Sequence, residues 1–119
     1  MPYLAVLADA LARYVSAEAG SMAQGACALH DAVELHRLVA SAGFRNVRVR
    51  PTIKTTRLPL PAEFVPGHLA ALPMAQAIAR QAADARAALL EEMTEALRPY
   101  VDREQLTFPA GVHVVTADA

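Results

Sequence analysis

Residues 31–49 read DAVELHRLVASAGFRNVRV, and the change of periodicity inside this stretch decides the fold class. Asp31 stands where a helix N-cap belongs, and Glu34 follows three residues on, as in a capping box. Leu35, Leu38, Val39 and Ala42 then recur at helical spacing and predict a buried stripe. Gly43 suits the left-handed position just past a helix, with Phe44 placed to fold back on the last turn. At once the period drops to two. Val47, Val49, Ile53 and Thr55 share one face of a strand, and Arg48, Arg50, Lys54 and Thr56 the other. Pro51 cannot donate to a sheet ladder, which predicts an edge strand or a bulge. Lys54 on such an edge discourages stray pairing.

Working upstream, Pro2 to about Val15 predicts a helix with Leu4, Leu7, Leu11 and Tyr14 on one side and Pro2 in its first turn. Gly20-Ser21 and Gly25 predict a looser connection with a short helical turn between them. Downstream, Pro59-Leu60-Pro61 closes the strand and opens a helix anchored by Phe64, Leu69 and Leu72, which Pro66-Gly67 should distort. From Met74 to Arg98, Ile78, Ala82, Ala85, Leu89, Met93 and Leu97 form an apolar stripe opposite Asp84, Glu91, Glu95 and Arg98. A break is expected near Ala82-Ala83-Asp84, and Pro99 ends the helix. Leu106 to Thr116 predicts the last strand, kinked or bulged at Pro109-Ala110-Gly111. Its run of Val112, Val114, Val115 and Thr116 suggests cover on both faces.

The expected class is thus α/β, or α+β for the piece taken alone, with two strands flanking a helical insertion. Two strands make a poor sheet, so the pattern looks like the end of a larger fold. Three segments follow: helices and edge strand over 1–58, the insertion over 59–103 and the final strand over 104–119.

Bulk properties narrow the function classes. At 119 residues the chain is one domain, and 55% hydrophobic residues suffice for a core. A net charge of −1 and a 5% aromatic content disfavour nucleic acid as a partner. No apolar stretch nears the ~18 residues of a membrane span, and no signal-peptide pattern is visible, so the cytoplasm is the expected compartment. Cys27 is the single cysteine, which excludes an intrachain disulfide, and it reads as a small buried hydrophobe.

The stretch from Leu29 to Val49 resembles the late helix and sixth strand of small-molecule class I S-adenosylmethionine-dependent methyltransferases, where a helix carrying ELxxLxxxAGF precedes a V-x-V strand. Leu58-Pro59-Leu60-Pro61-Ala62-Glu63-Phe64-Val65 is similar to that family's PSxEEFV segment, and Leu72-Pro73-Met74 to its xPL step. Tyr100, Leu106-Thr107-Phe108-Pro109 and His113-Val114-Val115-Thr116-Ala117 are similar to its closing PY…LxFP…HVVTA. The resemblance spans nearly the whole chain but only the back part of such an enzyme. It implies the C-terminal part of a doubly wound sheet, with the final two strands antiparallel and the insertion over the cofactor cleft. It also implies a substrate contact in that insertion, at Phe64, His68 and Met74.

The family's cofactor site is missing. It needs a G-x-G turn between a strand and a helix, and the glycines at 20, 25, 43, 67 and 111 form none. Gly20 and Gly25 have P-loop spacing, but Ala26-Cys27 replace the required Lys-Ser/Thr. No catalytic residue, cofactor-binding residue or metal site is expected in this chain, and S-adenosylmethionine is implied only for a full-length enzyme. The partner is then either a missing N-terminal cofactor-binding half or, in the alternative of a non-enzymatic assembly module, a second copy as a homodimer.

Other candidates have plainer readings. His30 and Asp31 belong to a helix cap, His36 to the polar side of that helix, and His113 to a hydrogen-bonded place among the strand valines. Arg45, Arg48, Arg50, Lys54 and Arg57 read as the solvated face of an edge strand.

Overall fold

The computed structural model describes residues 1–119 as an α+β fold with a three-stranded antiparallel sheet. Its order is α1 (Pro2–Tyr14), α2 (Ala17–Gln24), α3 (Ala32–Ser41), β1 (Arg45–Pro59), α4 (Pro61–Ala71), α5 (Ala75–Ala79), α6 (Ala83–Leu97), β2 (Val101–Asp102) and β3 (Gln105–Asp118). Short 3₁₀ turns cover Gly25–Cys27 and Arg98–Tyr100.

The sheet is chiefly a long ribbon. β1 and β3 pair antiparallel from Arg45↔Asp118 to Pro59↔Gln105, so α4, α5 and α6 form an insertion between two paired strands. Fifteen residues at about 3.3 Å each account for most of the molecule's 52 Å length. β2 pairs with β3 only at Val101↔Leu106 and Asp102↔Gln105. From Thr107 onward, β3 has no strand on the side away from β1.

Register decides which residues meet the helices. The even positions of both strands share one face. At its lower end Leu106, Phe108 and Ala110 are buried beside half-buried Leu58. Against them pack Tyr3, Leu7 and Leu11 of α1, Val65 and Leu69 of α4, and Leu89, Met93 and Leu97 of α6. The odd positions form the opposite face, and at the upper end α3 lies beside it, with Val49, His113 and Val115 half-buried. The ribbon is therefore covered on opposite faces at its two ends.

Local chemistry explains the element ends. Ser16 caps α2 by accepting from the Ala19 amide at 3.0 Å. Asp31 accepts from the Val33 and Glu34 amides at 2.9 and 3.4 Å. Glu34 does not close the reciprocal arm of the box and instead binds Arg37. Gly43 has φ +97°, the left-handed geometry that ends α3. The break before α6 falls at Arg80–Ala82, close to its expected place.

Several expectations are corrected. Residues 17–24 are a capped helix and not a loose connection, because Gly20 lets α2 close on α1. The Leu35–Ala42 stripe is not buried: no residue of α3 is, and Leu38 is exposed. Phe44 is exposed and does not fold back. Pro66-Gly67 leaves α4 unbroken, although Pro66 is its sixth residue and removes the interior i→i−4 hydrogen bond to the Ala62 carbonyl. Pro51 does lie on an edge strand, since β1 is outermost in the sheet, but Pro109 starts no bulge, and the one register shift lies between Arg45 and Arg48, where Asn46 has φ 52°. Val112 and Val114 are 44% and 41% exposed, so the final strand is not covered on both faces. Cys27 is exposed, on a surface turn with no layer above it.

Gly20 marks a close crossing of α1 and α2. A Cβ there would lie 2.8 Å from Ala12 Cβ and 2.9 Å from the Ala8 carbonyl oxygen. Gly20→Ala should lower unfolding free energy by about 1–3 kcal/mol through overpacking against backbone that cannot swing aside. Arg103 has φ 59° in the two-residue turn joining β2 to β3, so Arg103→Gly should raise stability by about 1 kcal/mol. Urea unfolding of each variant measures both.

Candidate functional site

The polar feature next to the core is a ring cluster where the start of α1, α4 and β3 converge. Phe64 and His68 are four residues apart in α4, so one helical turn stacks them, with centroids 5.3 Å apart and planes 16° apart. Tyr3 meets Phe64 edge-on at 5.5 Å and lies parallel to Phe108 at 6.2 Å. Its hydroxyl sits 2.7 Å from His68 Nδ1.

The chemistry of that contact follows from burial. Tyr3 is a core residue, and desolvation pushes its phenol up to about 12. Desolvation also pushes the His68 imidazole below its ordinary value. Both shifts favour the uncharged forms. Tyr3 then donates to Nδ1, which leaves the proton of neutral His68 on Nε2, where no protein acceptor meets it. The cluster thus offers one N–H donor on a ring stacked on Phe64 and hydrogen-bonded to Tyr3.

Of the three residues expected to meet a substrate, the fold brings Phe64 and His68 together. Met74 is 6% exposed and caps α5 from within the core, so it presents no surface to a ligand. Tyr3 is the third member of this cluster, which its sequence pattern places only in a helix. No local signal could find it, since 65 positions separate it from His68.

A second polar point lies on the ribbon. His113 Nε2 is 2.7 Å from the His30 carbonyl, so it donates. Its Nδ1 is buried without a partner, a cost of about 1–3 kcal/mol. This ring lines an apolar cavity of about 830 Å³ with Leu4, Leu29, Leu35 and Val115. Cys27 borders the same cavity from its exposed turn. His30 itself caps its own turn, with Nδ1 2.9 Å from the Cys27 carbonyl. Arg48, Arg50 and Lys54 lie exposed on the upper even face of the ribbon, with no carboxylate within salt-bridge distance.

No protein-family model, no curated protein and no solved structure matches the chain. No helix is long and apolar enough to cross a membrane, and no three His, Cys, Asp or Glu side chains gather as a metal site.

The residues present do not fit S-adenosylmethionine. Its cradle would be a glycine-rich turn from a strand into a helix. The direct strand-to-helix junction in this chain, β1 to α4, runs through Pro59-Leu60-Pro61. Gly20 is consumed by the α1–α2 crossing and Gly43 by the end of α3.

The Tyr3–His68 pair sets a pH window for stability. The unfolded chain binds more protons than the folded one below the ordinary imidazole value of 6.5, so stability falls with acid from there. The unfolded phenol releases its proton from pH 10, the folded one near 12, so stability falls again across that interval. Thermal unfolding from pH 5 to 11.5 should show a plateau between the two limbs. His68→Gln should flatten the acid limb, and Tyr3→Phe the alkaline one.

Proposed function

We infer that this chain is the C-terminal, substrate-side portion of a small-molecule S-adenosylmethionine-dependent methyltransferase, inactive without a cofactor-binding half. The ordered run of motifs from Leu35 to Ala117 supports the reading, as does the antiparallel strand pair with a helical insertion between its strands. The observation that carries it is the free edge of β3. From Thr107 to Ala117 that strand has no partner away from β1 and carries no Asp, Glu, Lys or Arg. An open, uncharged edge of this length is a liability that native folds cover, and a neighbouring strand of a larger sheet would cover it. In this reading the Phe64–His68 pair contacts the methyl acceptor, with the His68 Nε2–H as donor.

A second reading draws on the same edge. An antiparallel strand pairs with its own copy about a two-fold axis, so a homodimeric assembly module would also close it. The exposed valines Val112 and Val114 beside that edge favour this reading.

Titration calorimetry with S-adenosylmethionine should give no saturable heat for the chain alone. Coexpression with an adjoining coding region for a strand followed by G-x-G should restore binding. Tight binding by the chain alone would overturn both readings. A monodisperse dimer by light scattering, with no such region nearby, would replace the first reading by the second.

A further inference from the structure

We propose that the cleft between α4, α5 and α6 binds a small amphiphilic carboxylate, an apolar chain or ring system ending in one anionic group. The cleft has a volume of about 440 Å³, within the range of small-molecule sites. Its floor is apolar: Leu69, Ile78 and Leu89 line it and are otherwise packed into the core. Its polar side chains are Gln76 and Arg86.

Arg86 supplies the chemistry. Its guanidinium reaches across to the carbonyl of Ala79 at the end of α5, at 3.5 Å, a long and weak contact. No carboxylate lies within 4.0 Å of it, as is true also of Arg48, Arg50, Arg57, Arg80 and Arg103, and Arg86 differs from these in lining the apolar cleft. The acid nearest in sequence, Asp84, accepts from the Ala85 amide at 2.9 Å. A cation without an acid, set on the wall of an apolar recess, matches a ligand with a greasy body and a carboxylate head. The guanidinium fork accepts that head with two parallel N–H donors. The recess is the size of one small molecule and holds no row of apolar anchors several turns long, so a docked helix fits it less well. This binding needs neither the cofactor half nor the Phe64–His68 pair, so it stands apart from the methyltransferase reading.

The chain holds two isoleucines, Ile78 in the cleft and Ile53 on the exposed ribbon, so their δ1 methyls serve as reporter and control. The full chain, labelled at those methyls, is titrated with sodium decanoate below its micelle concentration, and with 1-decanol as the uncharged comparator. A saturable shift of Ile78 with Ile53 unmoved is expected. Decanol should bind about tenfold more weakly, Arg86→Gln should weaken decanoate by about the same factor, and Arg86→Lys should keep most of the affinity. The decanol comparison needs no variant and stands even if Arg86→Gln disturbs the cleft. The proposal is overturned by equal affinity for the two ligands, by parallel shifts of both methyls, or by no shift of Ile78. An Ile78 shift that follows protein concentration without added ligand would assign the cleft to a second copy, and would overturn it equally.

Discussion

A two-stranded ribbon cannot hold itself together in water, and every other feature of this molecule answers that constraint. The Leu58↔Leu106 pair is where the answer begins, because there the even face of the ribbon turns into the helical core. Leu106 and Phe108 bring to the sheet what Leu7, Leu11, Leu89, Met93 and Leu97 bring to the bundle. At about 25 cal/mol per Å² of apolar area, this shared burial is the main stabilising term. Above Ala110 the same face has no helix, and the cover moves to the other side, where α3 lies. The result is a slab 52 Å long and 18 Å thick with two open surfaces.

The insertion between β1 and β3 is both scaffold and site. α4 turns one face to the core through Val65 and Leu69, and sets Phe64 and His68 beside Tyr3. Its neighbour α5 is only five residues long, and the bend into α6 leaves a recess between them. A single straight helix from Met74 to Arg98 would have filled that space. The break expected near Ala82 from the length of the stretch therefore has a structural consequence: it leaves an apolar cleft with Arg86 on its wall.

Much of the local structure is legible in the sequence because its causes are local. Pro2, Asp31, Gly43, Pro59 and Pro99 act through their own backbone or the next few amides, so they mark ends wherever the chain goes. Burial is not local in this way. The apolar stripe of α3 reads like any core stripe, yet α3 has only one thin ribbon to pack on, and Leu38 stays 42% exposed. The valines of β3 look like a strand buried on both faces, but a ribbon with one helix layer at each end cannot cover both. Gly20 reads as a loop signal, although its missing Cβ serves a helix crossing. The candidate site is half legible for the same reason. Phe64 and His68 meet through helical spacing, whereas Tyr3 reaches them from the other end of the chain and Met74 is withdrawn into the core.

By itself the sequence determined α1, α3 and the two long strands, the break before α6 and the placement of those strands around a helical insertion, but neither α2 as a full helix nor the short β2. Each depends on residue type and short spacing, which act before the chain is compact. Tertiary structure alone decided the strand register, the faces that are covered, the tautomer of His68 and the unpaired charge of Arg86. Those follow from which groups the pairing of β1 with β3 and the packing of the helices bring within a few ångströms.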